Sequence, residues 1–144
     1  MPPRRYVSSA RAVVIDGDRV LMVQDRDGVH IIPGGKLEAG ETPEDAMRRE
    51  VIEETGWSLE FCKPIGVLHF THVHPMSEGQ TIQPDFFQVV YAAIPGKYQP
   101  ELKEADGYEI GSEFVSIDQV REMGLGTGQQ VYVETAVTAT SSSP

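Results

Sequence analysis

Runs of apolar and β-branched residues, separated by polar and glycine-rich breaks, mark out the elements of this chain. Ala10 to Ile15 is apolar apart from Arg11, Asp16-Gly17-Asp18 interrupts, and Arg19 to Val23 resumes. Two such runs around an Asp-Gly-Asp turn predict a β-hairpin. Asp25 to Gly28 is a second turn, and Val29 to Ile32 a short strand ended by Pro33. The stretch Thr42 to Gly56 then changes to helical spacing. Thr42 suits the N-cap, Pro43 the first helical position, and Glu44 and Asp45 the positive end of the helix dipole. Asp45 three residues after Thr42 approximates a capping box, and Gly56 suits a left-handed C-cap. A helix over Pro43–Thr55 follows.

Further on, strands are predicted over Ile65–Val73, Phe86–Ala93 and Glu113–Ser116, with loops over His74–Asp85 and Pro95–Gly107. Ile117–Met123 reads as a short helix and Gly128–Val137 as a terminal one, although Val131, Val133 and Val137 suit a strand equally. Thr138 to Pro144 is small and polar and is expected to be a disordered tail. With no internal repeat or linker, residues 1–137 are expected to form one domain, followed by the tail at 138–144.

Charge narrows the classes of partner. The 144 residues carry 22 Asp and Glu against 12 Lys and Arg, a net charge of −10. A protein gripping a nucleic-acid backbone or an anionic membrane needs a basic face, so neither is an expected partner. A small phosphorylated ligand remains compatible, because a cation can mediate between carboxylates and phosphates. Cys62 is the single cysteine, which precludes an internal disulfide, and it reads as a small buried hydrophobe. Met1 to Arg5 is followed by no apolar core, so no signal peptide is read. No apolar run reaches the ~18–20 residues that span a bilayer. A cytoplasmic location is expected.

The helix concentrates part of the acid. At ~100° per residue, Glu50, Glu53 and Glu54 fall within an arc of about 100°, above Ala46. Met47, Val51 and Ile52 occupy a different sector that can face a core. Glu50 and Glu54 are a like-charge i,i+4 pair costing roughly 0.2–0.5 kcal/mol in an isolated helix. Arg49 can relieve the crowding by pairing with Glu53. A solvated acidic face explains three such glutamates taken alone, but convergent carboxylates also suit a hard divalent cation. Just upstream, Pro33-Gly34-Gly35 would let backbone approach a metal or phosphate closely. The lysine-threonine phosphate loop is absent, since Gly35-Lys36 is followed by Leu37.

Gly35, Glu41 and Arg49-Glu50-Val51-Ile52-Glu53-Glu54-Thr55-Gly56-Trp57 together resemble the Nudix box of the Nudix (MutT-like) hydrolases. Gly35, Glu41, Arg49, Glu50, Glu53, Glu54 and Gly56 fill its polar and glycine positions, and Val51 and Trp57 its apolar ones. The resemblance implies the Nudix α/β/α sandwich, with a mixed sheet between helices and a loop–helix–loop at the box. It implies Mg²⁺ or Mn²⁺ held by Glu50, Glu53, Glu54 and the Gly34 carbonyl, with Glu41 and Arg49 keeping the glutamates in place. The reaction implied is hydrolysis of a nucleoside diphosphate linked to another group, by attack of water on phosphorus.

Some members of the family take their general base from the box, as Glu53 or Glu54 would allow here, and others from a later loop. Gly111-Ser112-Glu113-Phe114 resembles that later feature and makes Glu113 a candidate, with Glu109 and Glu104 as alternatives. Arg26, Arg11, Gly34 and Gly35 are candidates for binding the substrate. His30 stands where the family often carries a large aromatic, which removes a borrowed inference of base stacking there. The proline that ADP-ribose-splitting members carry about 15–16 residues beyond the box has no match at that distance, since Pro75 lies 18 beyond Trp57. The place of the tyrosine in dinucleoside-polyphosphate members, near 17–18 beyond, is held by His74 and Pro75. His72 and His74 could bind a transition metal, but read more simply as strand-end or loop histidines. The partner implied is a small nucleotide-type diphosphate, and many relatives pair as homodimers. An alternative is a non-catalytic domain of the family that binds a nucleotide metabolite as a sensor. A calcium module lacks its Asp-x-Asp-x-Asp-Gly loop here.

Overall fold

A computed structural model of the chain describes residues 7–25, 30–70, 86–104, 109–124 and 127–141. Strands β1 (Val7–Asp16) and β2 (Arg19–Asp25) form the predicted hairpin, turning at Gly17 with φ +63°. Two short strands follow, β3 (His30–Ile31) and β4 (Gly34–Lys36), then helix α1 (Pro43–Thr55). The long strands β5 (Trp57–Phe70) and β6 (Phe86–Tyr98) pair antiparallel, and a 3-10 turn spans Pro100–Leu102. Strand β7 (Glu109–Ser116) and helices α2 (Ile117–Glu122) and α3 (Thr127–Ser141) complete the described chain.

The sheet is mixed. β1 runs parallel to β6 along one edge, while its other edge pairs antiparallel with β4 and, near its end, with β2. β2 in turn carries β3 and β7. Period-two alternation sends side chains of each central strand to opposite cores. Ala10, Ala12 and Val14 of β1 and Val89, Tyr91 and Ala93 of β6 pack with Met47 and Val51 of α1. Val13 and Ile15 of β1 and Val90 and Ala92 of β6 pack with Val133 and Ala136 of α3. The result is the expected α/β/α sandwich around a mixed sheet. Among the described residues, no helix is long and apolar enough to cross a membrane.

Local signals set α1 as expected. Thr42 Oγ1 accepts from the Asp45 N–H at 3.1 Å, the Asp45 carboxylate accepts from the Thr42 N–H at 3.3 Å, and Gly56 closes the helix at φ +81°. Met47 and Val51 are fully buried, contributing roughly 1.5–3 kcal/mol each. Ile52 is only half-buried.

Four expectations are corrected. Strand β5 begins at Trp57, not Ile65, because Trp57, Leu59 and Phe61 pair across to Tyr98, Pro95 and Ile94. For the same reason β6 runs on through Pro95-Gly96, where a loop was expected; the register shifts there accommodate a proline without an N–H. The glycine-rich break after Pro33 is the strand β4, with Gly34 opposite Arg11 and Gly35 opposite Ala10. The terminal helix reaches Ser141, so the tail does not begin at Thr138. Thr138 and Thr140 give their hydroxyls to the carbonyls of Glu134 and Ala136, continuing a helix anchored by the buried Ala136. The loop expected over His74–Asp85, with His72, His74 and Pro75, lies outside the described residues.

Candidate functional site

α1 and β4 meet edge to edge, and the meeting is close enough to require glycine. At Gly35 a Cβ would stand 2.6–2.9 Å from the Glu50 carboxyl group. At Gly34, φ is +150° and a Cβ would strike the Ala10 carbonyl and the Cα of Arg11. The Gly34 N–H donates to Glu54 Oε2 at 3.2 Å, which holds that nearly buried carboxylate under β4.

Arg49 organises the other carboxylates. Its Nε and Nη2 donate to the two oxygens of Glu41 at 2.8 and 3.0 Å, a two-pronged pair. Its Nη1 donates to Glu50 Oε1 at 2.8 Å and to Glu53 Oε2 at 3.2 Å, and Nη2 also reaches the Lys36 carbonyl. The anticipated Arg49–Glu53 pair is therefore present, as one arm of a larger network. Glu41 also accepts from the Glu38 N–H at 2.7 Å.

These contacts divide the acids electrostatically. Hydrogen bonds from Arg49 hold Glu41 below the usual carboxylate range and push the guanidinium further toward permanent protonation. Glu53 moves the other way: burial raises it, Arg49 opposes, and the charges of Glu104 and Glu50 add to the rise. One guanidinium faces Glu41, Glu50 and Glu53, so it cannot neutralise all three. Excess negative charge stays at the mouth of α1.

The donor chemistry fits a hard divalent cation. Glu50 and Glu53 converge on one spot, now spanned by Arg49 Nη1, and carboxylate oxygens are the ligands Mg²⁺ and Mn²⁺ take. The expected three-way convergence is only partly formed, because Glu54 turns inward to the Gly34 N–H. Among the described residues, no three His, Cys, Asp or Glu side chains gather tightly enough to hold one ion.

The remaining candidates separate. Arg11 projects from β1 to the α3 face, gives Nη1 to the Ile32 carbonyl at 2.8 Å, and lines a cavity there. Glu113 is exposed on β7 opposite Met22, in step with Val115. Both neighbours belong to the α3-side core, while Phe114 belongs to the α1 side, so Glu113 is presented away from α1. Glu104 comes to the box instead: its N–H donates to the Glu53 carbonyl at 2.8 Å. Glu109 is placed by its backbone only, and Arg26 lies outside the described residues. Gln88, Gln129 and Tyr132 line the Arg11 cavity, and no motif in the sequence marks them. The helical spacing of Gln129, Tyr132, Val133 and Ala136 is the signal that groups two of them on the inner face of α3.

Comparison with known proteins bears on this arrangement. The NUDIX domain model matches residues 5–134. A MutT-like protein of Streptomyces ambofaciens is 45% identical over 67 residues, covering 46% of this chain and 44% of that protein. An oxidized purine nucleoside triphosphate hydrolase of Danio rerio is 32% identical over 87 residues, 60% of this chain and 49% of that protein. The chain thus spans under half the length of these curated relatives. Among solved structures, a NUDIX hydrolase from Nitrosomonas europaea superposes with a TM-score of 0.70 at 25% identity, covering 92% of this chain and 90% of that one.

Proposed function

The chain belongs to the NUDIX family, and from that premise we propose that it hydrolyses a nucleoside diphosphate linked to another group. Water is the nucleophile and a phosphoric anhydride is the bond broken. The observation that carries the reading is the network at Arg49, which holds Glu41, Glu50 and Glu53 while Gly34 fixes Glu54.

Nudix hydrolases generally use a divalent metal, and Mg²⁺ or Mn²⁺ is the cation proposed here. Glu50, Glu53 and Glu54 would hold it, with the Gly34 carbonyl as a further oxygen. When bound, such an ion would supply neutralisation of diphosphate charge and a more acidic water. The side chains of the protein do the positioning. Arg49 fixes the rotamers of Glu50 and Glu53, Glu41 fixes Arg49, and Gly35 leaves room for the Glu50 carboxyl. Glu53 is the proposed proton acceptor among the box residues, with Glu104 beside it. The exposed position of Glu113 on the far face supports that choice over a base from β7.

Hydrolase activity is tested with nucleoside triphosphates, nucleotide sugars and ADP-ribose plus Mg²⁺, followed by separation of products. The name of the Danio rerio relative makes purine nucleoside triphosphates, oxidised and unmodified, the first members of the panel. The products identify both the nucleotide and the bond cleaved. Tight nucleotide binding without phosphate release would support the sensor reading instead.

A further inference from the structure

Glu53 and Glu54 stand in the last turn of α1, where a helix has no partners of its own for its final carbonyls and opens most readily. No basic side chain in that turn offsets the helix dipole. The turn is instead held from outside, by the segment that follows β6. The Gln99 N–H donates to the Gly56 carbonyl at 2.6 Å, and the Glu104 N–H donates to the Glu53 carbonyl at 2.8 Å. Between them the 3-10 turn closes on itself, with the N–H groups of Leu102 and Lys103 donating to the carbonyls of Gln99 and Pro100. The segment is thus a short strap across the end of the helix that carries the carboxylates.

Little holds the strap itself. Residues 100–104 are exposed, and none of them enters either core. Tyr98, at the root of the strap, differs from them. It is 54% exposed, yet its ring lies on Trp57 with centroids 5.0 Å apart. Trp57 in turn meets Phe114 edge-on at 5.5 Å, and both pack against the α1-side core. Tyr98 Cε1 and Pro100 Cα also close over Gly56, each 3.2 Å from where a Cβ would stand. A line of contact therefore runs from the core through Phe114, Trp57 and Tyr98 to the strap, and through two N–H groups to the turn bearing Glu53. Tyr98 belongs to neither core, so shortening it loosens the strap and leaves the sandwich packed.

We infer that Tyr98 is a positioning residue, its ring holding the strap of residues 99–104 on the last turn of α1 and so setting the geometry of Glu53 and Glu54 for a divalent cation. This deepens the hydrolase reading above and rests on its cation site. The test reads Mn²⁺ binding by the chain alone, from the electron paramagnetic resonance signal of the free ion, beside cleavage of the substrate panel with Mn²⁺. Tyr98→Ala, folded by circular dichroism, is expected to bind Mn²⁺ about 10-fold more weakly. Tyr98→Phe, which keeps the ring, is expected to bind as the native chain does. Coupling is reciprocal, so saturating Mg²⁺ should also slow hydrogen exchange at the Gln99 amide of the native chain, a group bonded to Gly56 and to no proposed ligand. Unchanged exchange there overturns the inference whether or not the variants fold. Native affinity in Tyr98→Ala overturns it too, as does a loss in Tyr98→Phe equal to that in Tyr98→Ala. Cleavage by a chain whose Mn²⁺ affinity ignores Tyr98 overturns the inference and leaves the hydrolase reading standing. Mn²⁺ binding that follows Tyr98 without cleavage of any substrate does the reverse, and no Mn²⁺ binding at all overturns both.

Discussion

Gly35 lies directly beneath the Glu50 carboxyl group, so close that a Cβ would stand 2.6 Å from Glu50 Cδ. The atoms it would displace are the far end of a flexible side chain, and the Gly35 backbone is not in the left-handed region. A methyl there would move the carboxylate without breaking the fold. Gly35→Ala is therefore expected to weaken Mg²⁺-dependent activity by about 10–100-fold, the range for disturbed support of metal ligands. Its melting temperature should stay near that of the native chain. Gly34→Ala should do the reverse, because φ +150° and the Ala10 backbone leave no room. A loss of about 2 kcal/mol or more is expected from such strain, read by chemical denaturation.

The two-pronged pair between Arg49 and Glu41 predicts that charge alone will not serve at position 49. Lysine keeps the positive charge and loses the fork that spans Glu41 while reaching Glu50 and Glu53. Arg49→Lys is expected to lower kcat by about 10–100-fold with little change in folding. Glu41→Gln should fall in the same range. Steady-state kinetics and thermal melts of the two variants check both statements.

Glu53 predicts an opposition between stability and function. Its carboxyl is raised above the ordinary 4.5, chiefly by burial. As pH rises past 4.5 the unfolded chain ionises first, so this group makes the fold less stable until it too has ionised. Glu41 has the opposite sign: its contribution is present above 4.5 and is lost as pH falls through its depressed folded value. In chelator, Glu53→Gln should melt higher than the native chain at pH 7, with the difference shrinking toward pH 4. Melts across that range would contradict the account if the variant were the less stable at neutral pH.

The sequence discloses what is local and conceals what depends on pairing. The caps Thr42, Asp45 and Gly56 act within one turn of the helix ends, so α1 is legible to the residue. The box spacing likewise brings Glu41, Glu50 and Glu53 to Arg49. Strand β5 is not legible before Ile65, because Cys62-Lys63-Pro64 interrupts the apolar pattern and the pairing partner lies in β6, some thirty or more residues on. Gly34 and Gly35 read as a loop for the same reason: their strand character comes from Ser9 to Arg11. The inward turn of Glu54 depends on the Gly34 N–H. The face to which Glu113 belongs is set by its register with Met22. Helical periodicity puts the three glutamates on one arc of α1 but does not fix where each carboxyl points.

The central claim is that the α1 carboxylates serve cation-dependent cleavage of a nucleotide diphosphate linkage. The measurement that tests it most directly is product formation against Mg²⁺ concentration, for the native chain and Glu53→Gln on the substrate best cleaved in the panel. The account predicts no cleavage in chelator, a saturable rise with Mg²⁺, and a loss of about 100-fold or more in the variant, the scale of one catalytic acid–base group. No cleavage of any panel member at any Mg²⁺ concentration, or equal cleavage by native chain and variant, would contradict it.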